Sequence, residues 1–407
     1  MFLTETRNLR GGTSCWLPDD YPETVTDTFP DHAVDVAIVG AGIIGAMLAE
    51  RLSSSGRSVA LFDRRPPGHG STAASTALVM WAADVPLTHL SERIGAEEAG
   101  RRWRRVHSAV RGLANRIDEL RLDAARVERP ELYLAGTLLD EDALKAEGEA
   151  RRAAGLPAQF LEGGAVASRF GLPPRPALLC DGSYEVDPVR LTLSLLDRAR
   201  SQGATITFPA DINAIEHSAT GSTLRTDAGQ SVTAHKVVLA TGYERARWFL
   251  PEAFSILSSY AIATMPGTAP LWRENAMIWE ASSPYMYARA THDGRVIAGG
   301  EDENFEDGAR RDALIGEKRG KLQAKLSKMI GRDDIAVDCA WGAAFGSSPD
   351  GLPGIGEAAN HPGLWLASGF GGNGVSFAAL AAELIAAEFS GTPDPDAVCF
   401  DPYRFGA

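Results

Sequence analysis

Gly40, Gly42 and Gly45 stand at G-x-G-x-x-G spacing in the stretch VAIVGAGIIG. At that spacing the first glycine permits a tight turn. The second lets the backbone approach a pyrophosphate, and the third lets a helix lie close to a sheet. Amides at the start of such a helix, around Ile43 and Ile44, face the diphosphate and add a favourable dipole. Asp63, followed by Arg64, ends the next apolar run. A carboxylate there can accept hydrogen bonds from an adenosine ribose. The chemistry these residues point to is dinucleotide binding. The fingerprint by itself does not separate a flavin dinucleotide from a nicotinamide one.

Two later stretches bear on that choice. VVLATGYE, residues 237–244, puts the small residues Ala240, Thr241 and Gly242 at a strand end. GLWLASGFGGNGVSF, residues 363–377, lines a second approach with Gly371, Gly372, Asn373, Gly374, Val375 and Ser376. A helix expected over 378–389 follows, and its start can face an electron-rich carbonyl of a flavin ring. One fingerprint with a late glycine site suggests a long cofactor held at both ends.

The elements that must position these residues are interleaved along the chain. Residues 34–39 read as a buried strand, 43–55 as a helix closed by Gly56, and 58–62 as the next strand. This is a βαβ unit, so its strands are expected to be parallel. A small-residue loop, PPGHGSTAASTALVM, follows at 66–80. Helical patterns cover 90–126, 141–154 and 309–330, and Asp187-Pro188 is expected to cap and open another helix. Strands are expected at 132–134, 204–208, 236–240 and 364–367, with an antiparallel ribbon over 211–238. Further strands fall within 258–265 and 277–300, where His292-Asp293-Gly294 marks a hairpin turn. Residues 1–31 have no period and are expected to lie on the domain as an arm.

The chain has 407 residues, 44% hydrophobic and 23% charged, which is ordinary for a globular protein. A net charge of -13 counts against a nucleic-acid partner. RRWRR, residues 101–105, reads as a solvated helix face. The four cysteines have no metal-binding spacing, and their sparseness fits a reducing compartment. There is no signal-peptide pattern and no run long enough to span a membrane. The expected location is therefore cytoplasmic.

Taken together, the motifs resemble those of the D-amino-acid oxidase superfamily, which includes glycine oxidase, sarcosine oxidase and glutamylputrescine oxidase-like enzymes. The resemblance rests on VAIVGAGIIG with Asp63, GHGSTAAST (68–76), YEVDPVRL (184–191), MYARATHDGRVIAGGEDE (286–303), AWGAAFGSSPDGLPGIG (340–356), SGFGGNGVSF (368–377) and the final DPYRF. It implies an α/β fold: a Rossmann-like FAD-binding domain interleaved with a mostly antiparallel-sheet α+β substrate domain. After the arm, the cofactor domain would take 32–125, 183–245 and 335–407. The substrate domain would take 126–182 and 246–334. The implied reaction is oxidation of a carbon–nitrogen bond in an amine or amino acid. A hydride passes to FAD, the imine product hydrolyses, and oxygen or another acceptor takes the electrons.

The resemblance also implies roles for single residues. Gly70, Ser71, Thr72 and Ser75 belong to the loop passing over flavin and pyrophosphate. Arg289 matches a carboxylate-binding arginine, whose planar fork suits a carboxylate. Read without the family, it is a sheet-edge arginine in an ion pair. Tyr260, Tyr285, Tyr287 and Trp341 are candidate pocket walls. Tyr285 and Tyr287 share strand parity with Arg289, so all three are expected on one face of the sheet. Two departures bear on the substrate. Ser376 stands where sarcosine oxidase-like members carry a lysine, and Ala73, Ala74 and Ser75 stand where several carry a basic residue or histidine. An amine without a carboxylate is therefore open as substrate. Cys339 lies near a segment that some members link to flavin, and non-covalent FAD is expected. The alternatives are a quinone- or dye-linked dehydrogenase and a non-catalytic flavin-binding subunit.

Overall fold

The run VDVAIV forms the strand Val34–Val39 at the centre of a parallel sheet in the computed structural model, which describes residues 1–3, 5–17, 25–218 and 221–406. It pairs in parallel with Val59–Phe62, which in turn pairs with Thr205–Thr207. On its other side it pairs in parallel with Ser231–Leu239. All four residues of Val59–Phe62 are buried, as a parallel sheet covered on both faces requires.

Ser231–Leu239 changes partners halfway along one edge. Its first half runs antiparallel to Gly221–Thr226, while Val237, Val238 and Leu239 pair in parallel with the late strand Leu364–Ser368. Helix Ile43–Ser54 packs against both Pro188–Ser201 and Gly374–Phe389. Asp187 caps Pro188–Ser201 by accepting from the amides of Val189 and Arg190, with Pro188 in the first turn.

A second, nine-stranded and largely antiparallel sheet is built from other parts of the chain. Two of its strands fall outside the segments expected for it. Arg10–Gly12, expected in the arm, pairs with Val337–Ser347, expected in the third cofactor segment. Val337–Ser347 then runs antiparallel along Ser255–Thr264. The glycines and alanines of AWGAAFG carry little hydrophobic alternation, so this strand gave no period-two signal. Helix Gly308–Ile330 covers one face, where Leu322, Leu326 and Met329 pack with Ile262, Ala288 and Ala298. The opposite face looks toward the parallel-sheet lobe.

Three helical expectations change. The pattern over 90–126 is two helices, Leu87–Ile94 and Ala96–Leu120, broken at Gly95 with φ 86°. The last long helix starts at Gly374, four residues before the expected 378, because a first turn tolerates the glycine that reads as loop. RRWRR is not a solvated face. Trp103 is fully buried, Arg101 pairs with Asp396, Arg102 with Asp350, and Arg105 with Glu383 and Asp394. These charges clamp the helix to late segments of the chain. Among the described residues no helix is long and apolar enough to cross a membrane, and no cluster of metal-ligating side chains forms.

Candidate active site

A continuous cavity runs from the first glycine turn to the face of the nine-stranded sheet opposite helix Gly308–Ile330. Its floor begins with backbone that only glycine allows. Gly40 has φ 116°, and a Cβ there would lie 2.3 Å from the Ala240 carbonyl oxygen. At Gly45 a Cβ would lie 1.8 Å from the Gly40 carbonyl oxygen, so this residue closes the helix onto the turn and does not line the cavity. Gly42 faces the cavity, where a Cβ would meet only Thr72 Oγ1, at 3.0 Å. The first helical amide is not free: Ile43 N donates to Thr72 Oγ1 over 3.0 Å. Thr72 thus caps, from another loop, a helix whose own N-cap is a glycine.

Asp63 is held by two amides, Ala41 N at 2.7 Å and Arg65 N at 2.8 Å. Burial pushes its carboxyl above the usual range, and those two bonds oppose the shift. Next to it Arg65 makes two hydrogen bonds to Glu244, at 2.9 and 3.1 Å. Gly40, Gly42, Ile43, Ile44, Asp63, Arg64, Gly70, Ser71, Thr72, Ser75, Ala240, Thr241 and Gly242 all line this end. Gly371, Gly372, Asn373, Gly374 and Val375 line the other. Ser376 does not. It is fully buried, and its hydroxyl donates to the Met80 carbonyl at 2.7 Å. With Asn373 Nδ2 on Ala82 O and Gly372 N on Asp84 Oδ2, at 2.5 and 2.7 Å, it ties residues 80–84 to the late loop.

The cavity suits a long dinucleotide. Ser71 Oγ is a lining hydroxyl, buried without a hydrogen-bond partner. A Cβ at Gly374 would meet open space at the start of the last long helix. An unpartnered hydroxyl at one end and a glycine opening onto space at the other are what a cofactor held at both ends would use.

The sheet supplies aromatic walls. The Tyr285 and Tyr287 rings stack at 6.0 Å, and both line the cavity. Trp341 lines it too, with Nε1 donating to the Ala74 carbonyl at 2.9 Å. Trp279 lines it from a neighbouring strand, stacked on Tyr133 at 3.8 Å and donating from Nε1 to Glu131 Oε1 at 2.9 Å.

The expected anchor Arg289 is corrected, while Tyr260 touches the cavity only from its edge. Tyr260 borders the cavity, but its ring belongs to the opposite core with Ile262 and Leu322. The Lys318 ammonium lies 5.3 Å from its centre. Its neighbours Ser259 and Ala261 line the cavity beside it. Arg289 is buried and does not line the cavity. Its guanidinium donates to the carbonyls of Thr76, Val186 and Ala290, at 2.6, 2.9 and 3.2 Å. It also pairs with buried Glu185 at 3.6 Å, and burial lowers its pKa. Its fork braces the backs of two loops.

Sequence reasoning missed Asp84 and Trp279, as well as Tyr243 and Phe345, all cavity-lining. Asp84 is the acid in an otherwise apolar stretch, ALVMWAADVPL, and that contrast was its signal. Asp84 is exposed to the open cavity, and the desolvating protein around that cavity pushes its carboxyl up to about 6. The Gly372 amide opposes the shift, and the charge of Asp302 adds to it. Asp302 lies against the Ser259 and Tyr285 hydroxyls, and its Oδ1 is buried without a partner.

Comparison with known proteins agrees with this architecture. Glycine oxidase of Geobacillus kaustophilus (strain HTA426) is 24% identical over 369 residues, covering 87% of this chain and 92% of that protein. The tRNA 5-methylaminomethyl-2-thiouridine biosynthesis bifunctional protein MnmC of Aromatoleum aromaticum is 27% identical over 383 residues, covering 88% of this chain. The match spans only 57% of that longer protein. The structure of L-amino acid deaminase from Proteus myxofaciens superposes with a TM-score of 0.76 at 16% identity, covering 98% of this chain and 100% of that one. Residues 35–388 match the profile of the family described as DAO, FAD dependent oxidoreductase, and the chain belongs to that family.

Proposed function

We propose that the chain oxidises a carbon–nitrogen bond of a small amine or amino acid, with an imine as the first product. The observation that carries this reading is the continuity of the cavity from the Gly40–Gly42 turn to the aromatic face of the nine-stranded sheet. A dinucleotide spanning it would bring its reactive ring beneath Tyr285, Tyr287 and Trp341. The amino-acid activities named for two of the relatives agree with it.

FAD, when bound, supplies the two-electron acceptor for the hydride. The protein's share is position and exclusion of water. Asp63 and the capped helix start would hold the adenosine and diphosphate end. Asn373, Gly374 and Val375 would hold the ring end. Trp279, Trp341 and the two tyrosines would shape a dry chamber for the amine. Cys339 packs with Trp16, Ala73 and Trp341 and does not line the cavity, which supports non-covalent FAD. The four free cysteines support action in the cytoplasm, and the negative net charge supports a small-molecule substrate over a nucleic acid.

The test is anaerobic. The flavin band of the purified protein is recorded while amines and amino acids are added singly. Bleaching by one of them is the expected result, and readmitting air then reveals whether oxygen is the acceptor. Bound FAD that no amine or amino acid bleaches would overturn the proposal.

A further inference from the structure

The ring end of the cavity is acidic and aromatic. Among the described lining residues the cations are Arg64, Arg65 and Arg245, which stand with Asp63 and Glu244 at the other end. Each is engaged there: Arg65 with Glu244, Arg245 with Asp211, and Arg64 with Thr6 and the Glu5 carbonyl. Arg289, the one cation expected to grip a substrate carboxylate, is spent on three carbonyls and Glu185. Asp84 lines the ring end with a single hydrogen bond, from Gly372 N. Behind the wall, Asp302 lies against Tyr285 and Ser259 with Oδ1 buried and unpartnered. Trp279, Tyr285 and Tyr287 give this end its aromatic faces.

We infer that the substrate is a di- or polyamine-type amine, whose second, non-reacting ammonium sits against Asp84 among the faces of Trp279, Tyr285 and Tyr287. This rests on the carbon–nitrogen oxidation proposed above and narrows its substrate. A carboxylate placed here would meet two negative groups and no donor cation. An ammonium gains a charge-assisted hydrogen bond to Asp84 and the attraction of the ring faces. Asp302 adds negative potential from behind Tyr285.

The test uses the FAD-loaded protein under anaerobic conditions. Diamines from 1,3-diaminopropane to 1,6-diaminohexane are compared with the monoamine and the ω-amino acid of equal length. Dissociation constants are read from perturbation of the flavin band, and reduction from its bleaching. At the preferred length, the diamine is expected to bind about tenfold more tightly than the monoamine, and the ω-amino acid about tenfold more weakly. Asp84→Asn should collapse the diamine preference to about twofold or less. Asp302→Asn, read in the same way, provides the second variant if the first does not retain FAD. An ω-amino acid or α-amino acid that binds more tightly than the monoamine overturns the inference. So does a diamine preference that survives both substitutions. If carboxylated amines bleach the flavin and diamines do not, the oxidation of a carbon–nitrogen bond stands and only this inference falls. If no amine of any charge perturbs or bleaches the band, both fall.

Discussion

Arg289 is buried off the cavity and directed at three carbonyls and Glu185, so its removal should register as lost stability. Removing it takes a donor from the carbonyls of Thr76, Val186 and Ala290 and leaves Glu185 with Arg129, at 3.2 Å, as its remaining partner, at a cost of about 1–3 kcal/mol for each buried acceptor left unsatisfied. Arg289→Ala should therefore lower the denaturant midpoint sharply. It should change the KM of carboxylated and uncarboxylated substrates by similar factors, and a selective rise for the carboxylated one would restore the anchor role. Asp84 gives the opposite sign. Its folded pKa, about 6, lies above its ordinary 3.8. The ionised group thus costs stability above pH 6, a cost reduced because Asp84 is exposed to solvent in the open cavity, and the cost fades as pH falls from 6 toward 4. Tyr133, Tyr243, Tyr285, Tyr287 and Asp302 share its surroundings. Asp84→Asn should raise the Tm of the cofactor-free protein at pH 8, with the gain shrinking at pH 5 in calorimetry. What sequence made legible at this scale was backbone-dictated. Gly40 and Gly45 are glycine because a Cβ would strike a carbonyl, and such constraints survive in one sequence. Side-chain destinations were less legible. Parity put Arg289 on the same face as Tyr287, whose ring meets the cavity, but only the tertiary fold carries Arg289 past it to the Thr76 carbonyl. Tyr260 alternates with Ser259 and Ala261, and nothing local tells which set faces the cofactor.

At the scale of elements, the βαβ unit was readable because strand, glycine turn and helix all lie within one stretch of chain. The Val337–Ser347 strand was not, because its partners Arg10–Gly12 and Ser255–Thr264 are remote and its own residues are small. The same remoteness governs the helix cap. Ile43 N is satisfied by Thr72, which belongs to a separate loop. Thr72→Val removes that acceptor, and a cap is worth about 1 kcal/mol. FAD affinity should fall about fivefold, measured by fluorescence titration. Unchanged affinity would mean that the helix start is ordered without the hydroxyl. Gly45→Ala should act more severely, because its Cβ would lie 1.8 Å from the Gly40 carbonyl oxygen and the turn must open to admit it. Loss of FAD on gel filtration is the expected outcome.

For the whole molecule, the cavity is walled by both sheets, so its ligand should tighten both lobes together. At a free concentration of one hundred times Kd, FAD should add about 2.7 kcal/mol of stability. Limited proteolysis should slow at sites in both lobes, and protection of the parallel-sheet lobe alone would contradict a shared wall. The parallel sheet also joins distant parts of the chain: Leu364–Ser368 docks on Ser231–Leu239, and Gly374–Phe389 packs on Ile43–Ser54. This has a consequence for biosynthesis. While the ribosome still holds residues 364–376 in its tunnel, the fingerprint turn can form, but the loop that would grip the ring end does not yet exist. Cofactor capture thus waits until residues 364–376 have left the tunnel. Chains produced in flavin-starved cells should accumulate folded but colourless, ready to be charged by adding FAD to the lysate.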